Sequence, residues 1–189
     1  MSRTLFGSVS AAALLLVTSQ AAWAAMDSQS ATFDLEAEVP NVCTLGDFTE
    51  TSATNVNFSG AGGTYTVEIP DPLDANANLQ DFELIAQASA MCNYGDADIE
   101  LTSSNDGMTG PGAVPGFENV IDYDATVDID GTTFTLNAND GDGAPASASS
   151  LDVGPFTGTI ELTIENANND GPYLAGTYSD TLTLELGSI

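Results

Sequence analysis

The 189-residue chain carries 28 acidic side chains against a single arginine, with no lysine and no histidine, for a formal net charge of −27. It therefore has no cationic groove to hold a phosphate backbone, which excludes nucleic acid as a partner, and it lacks the residue that general acid–base catalysis most often uses. High charge with low hydrophobicity would signal disorder, but 42% of the residues are apolar and fall in strand-like runs, so a folded core is expected.

Residues 1–24 read as a signal peptide. Arg3 supplies the positive n-region, residues 11–17 a short apolar stretch, and Ala22-Trp23-Ala24 an A-x-A cleavage site, which places the new N-terminus at Ala25. Cleavage removes Arg3, while all 28 acids lie beyond the cut, so the mature side-chain charge becomes −28. No later segment is apolar for long enough to cross a membrane, and no membrane insertion of the mature chain is expected. The remaining length suits one domain.

Helix signals are nearly absent, and period-two runs separated by turn residues predict an all-β fold. Residues 32–39 alternate, with Phe33, Leu35, Ala37 and Val39 on one face and Asp34, Glu36 and Glu38 on the other. Residues 64–69, 82–92 and 99–102 are the next predicted strands. Residues 125–129 and 132–136 flank Asp130-Gly131, a pair that tolerates the positive φ angles of a tight hairpin turn. Residues 120–123, 156–165 and 177–186 are further predicted strands, the last with Tyr178, Leu182, Leu184 and Leu186 as its clearest apolar positions. Residues 70–78, 105–116 and 137–150, rich in Gly, Pro, Asn, Asp or Ser, are predicted loops. Many short strands between turns point to a two-sheet sandwich; a solenoid is the rival, and no fixed-period repeat supports it. Cys43 and Cys92 are the only cysteines, an even number in an exported chain, and read as a disulfide, with two buried free thiols as the alternative.

The closing run Leu174-Ala175-Gly176-Thr177-Tyr178-Ser179-Asp180-Thr181-Leu182-Thr183-Leu184, together with the spacing of the two cysteines, resembles the terminal "aGtYsDtltl" strand and layout of the spore coat protein U family. That family includes subunits of archaic chaperone–usher pili. The Phe-Gly often found after its first cysteine is not evident here, and the central loops are unusually acidic. The resemblance implies an immunoglobulin-like, pilin-type sandwich over residues 43–189 that lacks its last strand, leaving a groove open to a strand from another chain. It also implies export through the periplasm to a cell surface or pilus, with a periplasmic chaperone, an outer-membrane usher and other pilin subunits as partners. Residues 25–42 would then be an N-terminal extension whose Ala31, Phe33, Leu35, Ala37 and Val39 fill a neighbour's groove. The other reading of residues 32–39, as the first strand of their own domain, stays open. Tyr178, Leu182, Leu184 and Leu186 would border the groove, and chaperone bases would hold the carboxylate at Ile189.

Catalysis is not expected: no Ser/His, Cys/His or Ser/Lys pair is possible, and 28 acids produce close carboxylate pairs by chance. A second reading is a stand-alone secreted acidic β-sandwich, a surface or adhesive module that supplies its own final strand. Calcium belongs with it, since Asn137, Asn139, Asp140 and Asp142 form an oxygen-rich loop; that loop lacks a Glu at the distance an EF-hand requires and reads more simply as a turn. No other cofactor is expected.

Overall fold

A computed structural model describes residues 30–139, 144–150, 153–167 and 171–187, among which there is no helix. The chain divides into two units, Met1–Glu38 and Val39–Ile189. In the first, residues 30–38 are exposed and without regular structure. The described strands all belong to the second. They are β1 (Cys43–Leu45), β2 (Thr49–Thr54), β3 (Asn57–Ala61), β4 (Thr64–Glu68), β5 (Glu83–Cys92), β6 (Asp98–Ser103) and β7 (Met108–Thr109). After these come β8 (Val120–Ile121), β9 (Tyr123–Ile129), β10 (Thr132–Ala138), β11 (Ala146–Ser150), β12 (Phe156–Asn166) and β13 (Leu182–Gly187).

Two antiparallel sheets face each other. The larger runs β1-β5-β12-β9-β10, with β2 also paired to β5, and the smaller runs β11-β6-β13. Their inner faces follow from period-two alternation, because successive side chains of a strand point to opposite sides. β5 buries Leu84, Ala86, Ala88 and Ala90, and β9 buries Tyr123, Ala125, Val127 and Ile129. Ile160, Leu162 and Ile164 of β12 sit in register with Ala88, Ala86 and Leu84 on one side and with Ile129, Val127 and Ala125 on the other. The smaller sheet contributes Ile99 and Leu101 from β6, with Leu182, Leu184 and Leu186 of β13 packed against the same core. The fold is thus an all-β, two-sheet sandwich.

The outer faces bring carboxylates together. Glu161 lies opposite Asp128, Glu165 lies between Asp124 and Glu83, and Glu185 lies opposite Glu100. Like charges directly opposite destabilise a sheet, and this chain has no lysine with which to separate them.

Cys43 and Cys92 are register partners of β1 and β5 and form the disulfide, with Cα atoms 4.2 Å apart. The predicted β9–β10 hairpin is present: Asp130 and Gly131 have φ of 50° and 78°, and Ile129 pairs with Thr132. Several predicted boundaries move. Residues 32–39 form no strand, because alternation needs a neighbouring edge to pair with and none pairs with it. Residues 137–150, read as a loop, contain β11, whose Ala146 and Ala148 are small inward residues that carry little hydrophobic signal. β7 likewise falls inside the predicted loop 105–116. The last strand begins at Leu182 rather than at 177, for a reason that lies in the site itself.

Candidate functional site

β13 is the edge strand of its sheet: among the described residues it is paired to β6 alone. A cleft of about 640 Å³ lies along it. Consecutive residues from Asp180 to Leu184 line this cleft, those pointing inward and those pointing outward alike, so it follows the backbone edge of the strand as well as its inner face. The larger sheet supplies the floor, through Leu84 and Ala86 of β5 and Leu162 and Ile164 of β12. The opposite wall is made by Leu45 and Phe48 and by Phe58, Tyr65 and Val67 of the β3–β4 hairpin. An unpaired strand edge beside apolar side chains is a template for another strand: the free backbone groups supply the ladder, and the cleft supplies alternate side-chain pockets.

One end of the cleft is organised by Asp180. Its carboxylate accepts hydrogen bonds from the hydroxyls of Ser103, Ser104 (2.7 Å) and Tyr123 (2.6 Å), and from the backbone amides of Asn105 (3.0 Å) and Thr181 (2.7 Å). Burial pushes this carboxyl up, but the Ser103, Tyr123 and Ser104 hydroxyls and the Thr181 amide outweigh it and hold the group below its ordinary value. Burial, and then the hydrogen bond to Asp180, push the Tyr123 phenol up. These bonds explain the late start of β13. Asp180 is turned inward to its hydroxyl donors, and Ser179 bridges to Thr109 instead of extending the ladder with β6.

The β3–β4 hairpin is hydrogen-bonded to neither large sheet. Tyr65 stacks on Phe58 at 5.4 Å and meets Phe48 edge-on at 5.9 Å. Its hydroxyl accepts from the Phe48 amide (2.8 Å) and donates to Asp47 Oδ1 (3.1 Å), the same oxygen that accepts from the Gly62 amide at the hairpin tip (2.8 Å). At the hairpin's base, Asn55 donates to the Asp71 carbonyl (2.8 Å) and accepts from the Asp71 amide (3.4 Å).

The residues singled out from sequence are distributed as follows. Leu182 and Leu184 line the cleft, and Leu186 packs on the core beyond it. Tyr178 lies elsewhere: its hydroxyl donates to the carbonyls of Leu174 (2.9 Å) and Glu118 (3.1 Å), and its ring lies so close to Gly110 that a Cβ there would sit 2.3 Å from it. Ala31, Phe33, Leu35, Ala37 and Val39 lie in exposed chain without regular structure, with Phe33, Leu35 and Val39 respectively 83%, 96% and 77% exposed. Downstream, Asn93 pins the chain at 40–42: its side-chain amide donates to the Pro40 carbonyl (2.9 Å), and its Oδ1 accepts from the Val42 amide (2.7 Å). Asn137 lies in β10, and the Asn139 amide donates to Asp106 Oδ1 at 3.2 Å. Asp140, Asp142, Ile189 and the signal peptide lie outside the described residues. Sequence reasoning found β4 within the predicted strand 64–69 but missed β3 and the roles of Asp180 and Asp47; the Tyr-Ser-Asp run was the one available signal for Asp180.

No protein-family model matches the chain, and no curated protein matches it. Among solved structures, one from work on a chaperone–tip adhesin complex in the activation of CFA/I fimbriae biogenesis is similar, at 12% identity and a TM-score of 0.35. The likeness covers 77% of this chain and 42% of that one, so the chain spans less than half the length of its neighbour.

Proposed function

We propose that this protein is a non-catalytic structural subunit of a surface fibre, exported through the periplasm and joined to its neighbours by strand donation. The observation that carries the reading is the unpaired edge of β13 above an apolar cleft. A strand laid along β13 would complete both the ladder and the core. The matching donor is residues 31–39 of another copy, where apolar residues recur at every second position and are exposed. Burying Phe33, Leu35 and Val39 stabilises the junction by about 1.5–3 kcal/mol each. Asp34, Glu36 and Glu38 would remain on the other face, in water. The resemblance to spore coat protein U supplies the assembly route: a periplasmic chaperone occupies the cleft first, an outer-membrane usher follows, and the next subunit's extension takes the chaperone's place.

The test is assembly of the mature chain with its chaperone and usher, scored as ladders that resist SDS without boiling. Deleting residues 25–39 is expected to leave a folded acceptor that caps the ladder. A strictly monomeric mature chain under these conditions would sink the reading, and loss of folding in the truncated chain would favour a self-complete adhesive module.

A further inference from the structure

The wall of the cleft is not all of one kind. Its floor belongs to the larger sheet, whereas the side opposite β13 is the β3–β4 hairpin, a two-stranded ribbon joined to neither sheet by strand pairing. A hairpin alone in water is marginal, so this one stays in place through what fastens it to the body. At its base, the reciprocal Asn55–Asp71 hydrogen bonds hold both ends together, and Asn55 takes a positive φ of 51° where the chain turns into the ribbon. Its tip carries Gly62 and Gly63, both at positive φ, and the Gly62 amide is fastened to Asp47 Oδ1. Tyr65 joins the same oxygen through its hydroxyl. The ribbon is thus hinged at one end and latched at the other by Asp47 Oδ1, with the Phe48 amide donating to the Tyr65 hydroxyl as a further tie, over a space that it helps to fill.

We infer that the β3–β4 hairpin is a cover for the strand-accepting cleft, latched by Asp47, and that its release controls the rate at which a strand enters beside β13. The inference rests on the strand-acceptor reading above. Phe58, Tyr65 and Val67 line the space next to Leu182 and Leu184, where the side chains of an incoming strand must go. Leu84 and Ala86 on the floor are each only 1% exposed, as a covered cleft requires. Closed, the cover keeps an apolar edge from unprogrammed pairing. Open, it leaves both large sheets intact, since it shares no ladder with them.

The experiment uses the full mature chain carrying Phe33→Asp and Leu35→Asp, which disable it as a donor, and a fluorescent peptide of residues 30–42 as the probe. In this background Asp47→Ala removes the latch oxygen, Asp47→Asn loses the charge but keeps an acceptor oxygen, and Tyr65→Phe removes the hydroxyl's bonds to Asp47 and to the Phe48 amide while leaving the Gly62–Asp47 tie. Peptide uptake is expected to be about tenfold faster for Asp47→Ala, a few-fold faster for Tyr65→Phe, and near the parent rate for Asp47→Asn. Amide exchange in 57–68 should accelerate in step while β5 and β12 stay protected. Equal uptake rates in parent and Asp47→Ala, with exchange in 57–68 accelerated, would overturn the cover and leave the acceptor cleft standing. No uptake by any variant would overturn both. If Asp47→Ala loses protection in β5 and β12, Tyr65→Phe decides by the same criteria.

Discussion

Replacing Asp180 with asparagine preserves the shape of the side chain but removes its charge and half of its acceptor capacity. The carboxylate serves the Ser103, Ser104 and Tyr123 hydroxyls and the Asn105 and Thr181 amides. Asparagine offers one acceptor oxygen, and its amide nitrogen would confront groups that are themselves donating. Ser103 is 0% exposed and Tyr123 4%, so neither hydroxyl can turn to bulk water. An unsatisfied buried polar group costs about 1–3 kcal/mol. With partial re-aiming of the hydroxyls, the two together give an expected loss of about 2–4 kcal/mol, a large share of a domain stability of about 5–15 kcal/mol. Urea unfolding of the oxidised protein, followed by far-UV circular dichroism, measures it. Glu185→Gln removes the same charge from the exposed face of β13 and controls for relief of general repulsion. The pH dependence gives a second readout. Folding depresses the Asp180 carboxyl, so its contribution is present above the unfolded pKa and is lost as pH falls through the folded value. The gap between wild type and Asp180→Asn should be full at neutral pH and shrink below about pH 4. A loss within about 0.5 kcal/mol of the Glu185→Gln control at neutral pH would refute the reasoning.

The Cys43–Cys92 bridge spans 49 residues, for which the chain-entropy model gives about 4 kcal/mol; the urea midpoint with and without reductant checks it. The facing carboxylates predict that stability rises with salt, by about 1–2 kcal/mol between about 0.01 and 1 M, as the screening length falls from about 30 to about 3 Å. Equal midpoints across that range would contradict it, and Glu100→Gln with Glu185→Gln should reproduce part of the gain at low salt. Leu184→Asp should abolish strand uptake while monomer secretion continues, and Phe33→Asp should abolish donation while the same chain still accepts; mixed-subunit ladders separate the two defects.

The parts of the fold that sequence made legible are those where apolar residues alternate over a buried face. Residues 82–92, 125–136 and 156–165 came close to β5, the β9–β10 hairpin and β12, because Leu84, Val127 and Ile160 mark inward positions that water would penalise. β2 and β11 escaped because these edge strands turn only small side chains inward, Ala53 of β2 and Ala146 and Ala148 of β11, so period two leaves no hydropathy trace. Residues 32–39 show the other limit: a perfect alternation shows the ability to be a strand, not whether the edge it joins is its own domain's or another chain's. At the site, Leu182 and Leu184 could be found by pattern. Asp47 could not, and Asp180 only through the Tyr-Ser-Asp run, since what distinguishes them from the other acids is their donors, drawn largely from distant stretches of chain.

In a fibre assembled by strand donation as proposed, the disulfide would have a mechanical meaning. Tension on a fibre would enter each subunit through the chain leading into Cys43. β1, with three residues, has few ladder bonds to β5 and would yield under modest force if it carried that load alone. The covalent bond to Cys92 bypasses it and delivers the force to the end of β5, a ten-residue strand held along its length by β12. A strand pulled along its axis must break its ladder in shear, many bonds at once, rather than one after another. Placed at the point where load would arrive in such a fibre, the bridge would make the subunit a link that resists extension as a whole.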